Sequence, residues 1–322
     1  MAINLELPRP MPACSLIATM VAMLSLQGVT GGQSSPPVAT FKSTVDLVRV
    51  AAIVRDRKGR FVQDLSVRDF TVLDGSERRS IVDFGRDSGG VSIALLFDAS
   101  GSMESRLTNA REAGNHLLSW LDATRDEAAV FTFDTQLDEI VPFTVGLKQL
   151  PRSLSDVLPF GATSLNDAIA QTAERVGRRE GRRRAVAVFT DGNDTASRLK
   201  PSEVSAIASA IDVPVYVFGI VPSIDNPTAE TATSSATRSS LVGALEDLAV
   251  WTGGRVFISS VPAERSAAAK QMVDELRHQY LLAFESSNKP GWHPLTVSTR
   301  DKNLVVRARS GYSVGQSRPN SF

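Results

Sequence analysis

The chain has 322 residues, a length that suits one large domain with a smaller companion, and its 42% apolar and 22% charged content is ordinary for a globular protein. Its 35 basic side chains balance 35 acidic ones, so no global field favours nucleic acid or an anionic membrane, and a nucleic-acid partner is not expected. The single cysteine, Cys14, excludes an intrachain disulfide, and His116, His278 and His293 share no ligand spacing, so a zinc site of the His/Cys kind is poorly supported.

Residues 1–32 are expected to form a signal peptide. Ala13 to Leu26 is an apolar run shorter than the roughly 20 residues a membrane span needs, and Gly28, Gly31 and Gly32 follow it. Arg9 is the one basic residue ahead of the run, with Glu6 offsetting it. The expectation is export to the periplasm, cell surface or medium. Membrane contact would come only through this segment, where it is left uncleaved. Gln33 to Thr40 is a Ser/Pro-rich linker. Val45 to Val54, Phe70 to Leu73 before the Asp74-Gly75 turn, and Ile81 to Phe84 then read as short strands, so residues 33–88 are a linker and a small β unit.

From residue 91 the pattern alternates between strands and helices. Leu107, Ala110, Gly114, Leu117, Leu118 and Leu121 fall on one helical face, followed by a strand at Ala128 to Phe133 that Leu137 to Phe143 can join as a hairpin. A helix through Ala168, Ile169, Thr172 and Val176 leads to the apolar strand Ala185 to Phe189. The Arg178 to Arg184 run between them reads as a solvated connection. Helix Val204–Ile211, strand Val213–Ile220, helix Leu241–Trp251, strand Arg255–Ile258 and helix Ala267–Tyr280 complete the series, with a Ser/Thr/Ala-rich surface loop over residues 222–240. Such alternation predicts a doubly wound, mainly parallel sheet over residues 89–285. β pattern returns at Tyr280–Phe284, Leu295–Thr299 and Leu304–Ala308. Residues 286–322 are expected to pack with 40–88, with Trp292 and Tyr312 in the core and the α/β domain inserted between the two β segments.

Chemistry concentrates at the end of the first α/β strand. Val91 to Phe97 is a near-continuous apolar run broken only by Ser92, as a strand covered on both faces requires, and it runs into Asp98-Ala99-Ser100-Gly101-Ser102. One carboxylate and two hydroxyls on a tight turn offer three oxygens to a hard cation such as Mg²⁺, at the strand end where ligands bind in open α/β sheets. Two further strand-end segments offer candidates: Thr163, in Gly161-Ala162-Thr163-Ser164-Leu165-Asn166-Asp167-Ala168, and Asp191, in Phe189-Thr190-Asp191-Gly192.

Taken together, Asp98-x-Ser100-x-Ser102, Thr163 and Asp191 resemble the metal-ion-dependent adhesion site of von Willebrand factor A-type domains, in the family's order. The flanking segments, Asp-Phe-Thr-Val-Leu-Asp-Gly and Gln-Tyr-Leu-Leu-Ala-Phe, are similar to those of acidobacterial relatives of that family. The resemblance implies a Rossmann-like fold with a small β-sandwich-like unit beside it. It also implies Mg²⁺, or Mn²⁺ or Ca²⁺ in its place, held by Asp98, Ser100, Ser102, Thr163 and Asp191. A protein partner would supply an acidic residue to an open position, and the function would be binding rather than turnover. Two alternatives stand beside it: a Mg²⁺-dependent phosphatase-like hydrolase built on Asp98, and an assembly protein in which the metal only stabilises the fold. Ser100 speaks against the first, since such phosphatases carry an acid two residues after the nucleophile.

Overall fold

The structure is a computed structural model that describes residues 47–86, 89–210, 212–220, 235–259, 261–287 and 289–314. The expected signal peptide and linker lie outside the described residues, as does the 222–240 loop up to residue 234. Four strands come first: β1 (Leu47–Arg55), β2 (Phe70–Asp74), β3 (Glu77–Arg79) and β4 (Ile81–Gly85). The α/β portion follows with β5 (Val91–Asp98), α1 (Leu107–Trp120), β6 (Glu127–Phe133), β7 (Leu137–Val145), α2 (Arg152–Ser155), α3 (Leu165–Gly177), β8 (Arg183–Thr190), α4 (Pro201–Ala210), β9 (Val215–Ile220), α5 (Ser235–Thr252), β10 (Arg255–Ser259) and α6 (Pro262–Arg277). The last strands are β11 (Gln279–Glu285), β12 (Gly291–Thr299), β13 (Val305–Arg307) and β14 (Gly311–Val314).

Six strands form one sheet in the order β10-β9-β8-β5-β6-β7, parallel except for the edge strand β7. Every residue of β5 is buried, because the pleat sends alternate side chains into two covered faces. Ile93, Leu95 and Phe97 meet α1 and α6 through Leu117, Leu118, Met272 and Leu276. Ala94 and Leu96 meet α3, α4 and α5 through Ile169, Val204 and Leu248. Helix α1 lies so close to the sheet that a Cβ on Gly114 would stand 2.5 Å from Phe97 Cζ. Phe97, Phe189 and Phe218 stack across β5, β8 and β9 with ring centroids 4.6 and 4.8 Å apart, setting the spacing of these strand ends.

From β5 the chain builds outward to β6 and β7, then returns to the other side of β5 for β8, β9 and β10. The reversal opens a crevice between the carboxyl ends of β5 and β8, the position such sheets use for ligands.

The outer strands make a sandwich of two four-stranded sheets, β13-β1-β11-β4 and β14-β12-β2-β3. Val50, Phe70, Val72, Tyr280, Leu282, Phe284, Leu295 and Tyr312 fill the space between them. Strands from either side of the α/β portion pair directly, Val50 with Leu282 and Val72 with Val297. Buried Glu275 on α6 joins the two portions: it accepts from Arg55 at 3.0 Å and from Arg307, and Arg255 lies 3.8 Å away.

Several expectations need correction. The last helix ends at Arg277, not at Tyr280. Only His278 separates it from β11, where Tyr280 turns into the sandwich core and donates its hydroxyl to Val62 O at 3.0 Å. By sheet membership, an α/β segment ending at 285 therefore runs one strand too far. Trp292 is 44% exposed on β12, while Tyr312 is in the core. His293 lies within β12, with its Nδ1 3.1 Å from Asp74 Oδ1. The arginine run does more than face water: Arg179 clamps buried Glu127 through both oxygens at 2.7 and 2.8 Å, and Arg183 donates to Leu276 O at 3.0 Å.

Candidate metal-ion site

Asp98 ends β5 fully buried, at the mouth of the crevice. The turn after it folds back onto the carboxylate. Ser100 donates its N–H and its hydroxyl to Asp98 Oδ1, at 2.9 and 2.6 Å. Ser100 Oγ also lies 3.2 Å from Ser102 Oγ, so the three side chains of the Asp-x-Ser-x-Ser turn converge. Ala99 N–H is held by Phe133 O at 2.8 Å, which ties the turn to β6.

The loop carrying Thr163 lies against this turn. Phe160 N–H donates to Ala99 O at 2.9 Å and Gly101 N–H to Gly161 O at 3.2 Å. Gly161 adopts φ +80°, a backbone that other residues rarely take. Thr163 is buried, and a second loop pins its backbone: its N–H donates to Thr195 Oγ1 at 2.9 Å, and its carbonyl accepts from Thr195 and Ala196. The same second loop caps α3, since Asp194 Oδ2 accepts from Asn166 N–H at 2.9 Å.

The third segment follows β8. Thr190, fully buried, donates its hydroxyl to Asp98 Oδ2 at 2.6 Å and accepts from Gly192 N–H at 2.9 Å. Asp191 is buried beside it, and Arg106, the residue before α1, donates a guanidinium N–H to Asp191 Oδ2. Ser100 thus touches both Asp98 and Ser102, and Asp191 is near enough for its charge to act on Asp98. Thr163 sits on the adjoining loop, joined to the turn through backbone bonds. Thr190, Arg106 and Asp194 were not singled out from sequence. A hydroxyl at the end of an otherwise apolar buried strand is the one signal that pointed to Thr190.

Burial pushes the Asp98 carboxyl above the ordinary carboxylate range. The bonds from Ser100 and Thr190 oppose that rise, and the neighbouring Asp191 charge adds to it. A buried anion beside a second anion gains most from a compact cation. Among the described residues no three His, Cys, Asp or Glu side chains come together as a metal cluster, so neutral hydroxyls must complete any donor set here. Two carboxylates with serine and threonine hydroxyls form an all-oxygen set, which fits hard divalent cations and not a thiolate- or imidazole-seeking metal.

The surroundings are accessible. Leu158 and Phe160, on the loop leading to Thr163, are 83% and 80% exposed. A cleft of about 440 Å³ beside Thr163 is lined by Thr135, Gln136, Ser164, Asp167, Gln171 and Arg198 among others.

Residues 93–193 match the von Willebrand factor type A domain family, a span that begins within β5 and includes all five candidate ligands. Over that span the chain is similar to a von Willebrand factor type A domain. Solved structures similar to it include an aerotolerance-related membrane protein from Bacteroides fragilis, with 19% identity over 58% of this chain and 98% of that one, TM-score 0.44. A von Willebrand factor type A protein from Catenulispora acidiphila has 12% identity over 85% of this chain and 74% of that one, TM-score 0.44. Proximal thread matrix protein 1 from the mussel byssus, solved with a zinc-occupied adhesion-site motif, has 19% identity over 63% and 50%, TM-score 0.44. Comparison with curated proteins gives no match. Within the matched span, Asp98 and Asp191 fall on the two sides of the crevice between β5 and β8.

Proposed function

We propose that the chain is a divalent-cation-dependent protein-binding module. The observation that carries this is the placement of buried Asp191 close enough to the Asp98-Ser100-Ser102 turn for its charge to act on Asp98, within the span similar to a type A domain. Asp98, Ser100, Ser102, Thr163 and Asp191 would hold Mg²⁺, with Mn²⁺ or Ca²⁺ as substitutes. Bound there, the cation supplies a Lewis-acidic position for a carboxylate oxygen from an Asp or Glu of a partner protein.

The chain's own groups support binding over turnover. Ser100 occupies the place where a phosphatase would need an acid, and its N–H and hydroxyl both donate to Asp98. The three histidines stand elsewhere: His116 on α1, 3.7 Å from Glu112, His278 against Asp274 O, and His293 against Asp74. No helix among the described residues is long and apolar enough to cross a membrane. Export, motivated by Ala13 to Leu26, belongs to the same proposal and places the partner outside the cytoplasm.

The test is capture of partners from the native envelope with wild type, with Asp98→Ala, and with wild type in EDTA. Capture should be lost in the last two while circular dichroism shows a folded domain. Capture that survives metal removal rejects the adhesion reading. A domain that melts on metal removal favours the stabilising-metal alternative.

A further inference from the structure

The site has a resident positive charge of its own. Arg106 Nη1 donates to Asp191 Oδ2 from one side and lies 3.4 Å from Ser102 O on the other, so the guanidinium bridges the two arms that would surround a cation. We propose that Arg106 is a tethered counter-cation that competes with the divalent ion for Asp191 and weakens the site's cation affinity. The inference rests on the metal-binding reading above and adds a residue to it.

Three features support this role over an ordinary ion pair. First, the arginine is poorly satisfied where it sits: its Nε is buried without a hydrogen-bond partner, and Nη1 is the atom that carries the contact to Asp191. A guanidinium usually meets a carboxylate through two parallel bonds, as Arg179 meets Glu127 in this same protein. Charge, not a matched fork, therefore keeps Arg106 on Asp191. Second, the oxygens of Asp191 are unequally free. Oδ2 takes the guanidinium, whereas Oδ1 has only a 3.4 Å contact from Asn193 N–H. A cation drawing on Oδ2 meets both an occupied lone pair and a like charge. Third, only the arginine of the pair reaches the protein surface. The Arg106 side chain is 25% exposed against 2% for Asp191, so the guanidinium can turn outward to water while the carboxylate stays in place.

Because the competitor is part of the chain, its local concentration is fixed, and the site loads only when cation concentration overcomes it. Removing the charge should tighten cation binding by about tenfold, the low end of the worth of one charge-assisted hydrogen bond. Arg106→Lys keeps a charge with a shorter reach and should fall between.

The experiment is calorimetric titration of Mg²⁺ and Mn²⁺ into wild type, Arg106→Gln, Arg106→Lys and Asp98→Ala, each shown to be folded by circular dichroism. The expected order of affinity is Arg106→Gln above Arg106→Lys above wild type, with no binding in Asp98→Ala. Thermal unfolding in EDTA gives a second readout: Arg106→Gln should melt below wild type without cation and gain more on Mg²⁺ addition. If wild type binds and Asp98→Ala does not, but Arg106→Gln binds no tighter or more weakly, the counter-cation role is overturned and the metal site stands. If wild type and Asp98→Ala are alike, the metal-binding reading fails and this inference falls with it.

Discussion

Replacing Thr190 by Val tests how the candidate site is held. The two side chains have nearly the same shape, and Thr190 is fully buried, so the change opens no cavity and removes only the hydroxyl. That hydroxyl has two duties: it donates to Asp98 Oδ2 at 2.6 Å and accepts from Gly192 N–H at 2.9 Å. Losing a bond to an ionised group costs about 1.5–3 kcal/mol, and stranding the Gly192 N–H costs about 1 kcal/mol more at the low end of its range. The added apolar methyl returns roughly 0.8 kcal/mol. The net loss should be about 2–3 kcal/mol, read by urea unfolding in EDTA at neutral pH. The pH dependence has a definite sign. The folded Asp98 carboxyl lies above its ordinary range, so its ionisation costs the fold stability as pH rises from the unfolded to the folded value. Thr190→Val removes a bond that favours the ionised form and enlarges that cost. The gap to wild type should be widest near neutrality and shrink as Asp98 protonates. A loss below about 0.5 kcal/mol, well short of the worth of one such bond, would refute the positioning role. So would a loss of equal size across the acid range.

Other changes probe the frame around the site. Glu275→Ala leaves Arg55 and Arg307 facing a buried hole and should cost about 3 kcal/mol, the low end for a broken buried pair because both arginines are partly solvated. Chemical denaturation reads it, and a loss under about 1 kcal/mol, the level of a surface ion pair, means that Glu275 does not tie the sandwich to α6. Asp74 is buried, which alone would raise its carboxyl, but bonds from Tyr312, Arg79 and His293 outweigh burial and hold it below the ordinary range. Its stabilisation is therefore present above the unfolded carboxylate value and lost as pH falls through the folded one. Asp74→Asn should be less stable than wild type at neutral pH and converge with it in acid, so parallel pH curves count against the assignment. Leu158→Ser with Phe160→Ser should leave the melting temperature within a degree or so, since neither side chain is buried in the fold. A clear drop shows that they pack against something in solution.

The α/β order was legible because β5 and β8 each carry a continuous apolar run, Ile93–Phe97 and Ala185–Phe189, and the helices between carry one apolar face each. The Asp98, Ser100, Ser102, Thr163 and Asp191 set was legible because each stands at a strand end next to turn residues. Local pattern could not show which groups reach those carboxylates from elsewhere in the chain. Arg106 stands 85 positions from Asp191, and Thr190 stands 92 from Asp98. Both contacts exist only once β5 and β8 lie side by side. The end of α6 was missed for the opposite reason. Met272, Val273, Leu276 and Tyr280 continue a helical spacing without a break, yet Tyr280 faces a different core after one intervening residue. Trp292 shows that a large apolar side chain near the end of a strand can remain outside when Gly311 on the paired strand leaves room for its ring.

The most direct measurement is thermal unfolding of wild type and Asp98→Asn over a Mg²⁺ series starting from EDTA. Ligand binding to the folded state alone adds about 2.7 kcal/mol at 100 times Kd. For a domain of this size that raises the melting temperature by about 5–10 °C. Wild type should show that concentration-dependent rise and Asp98→Asn should show none. A wild-type curve indifferent to Mg²⁺, Mn²⁺ and Ca²⁺, or an Asp98→Asn curve that shifts as far as wild type, contradicts a cation site at Asp98.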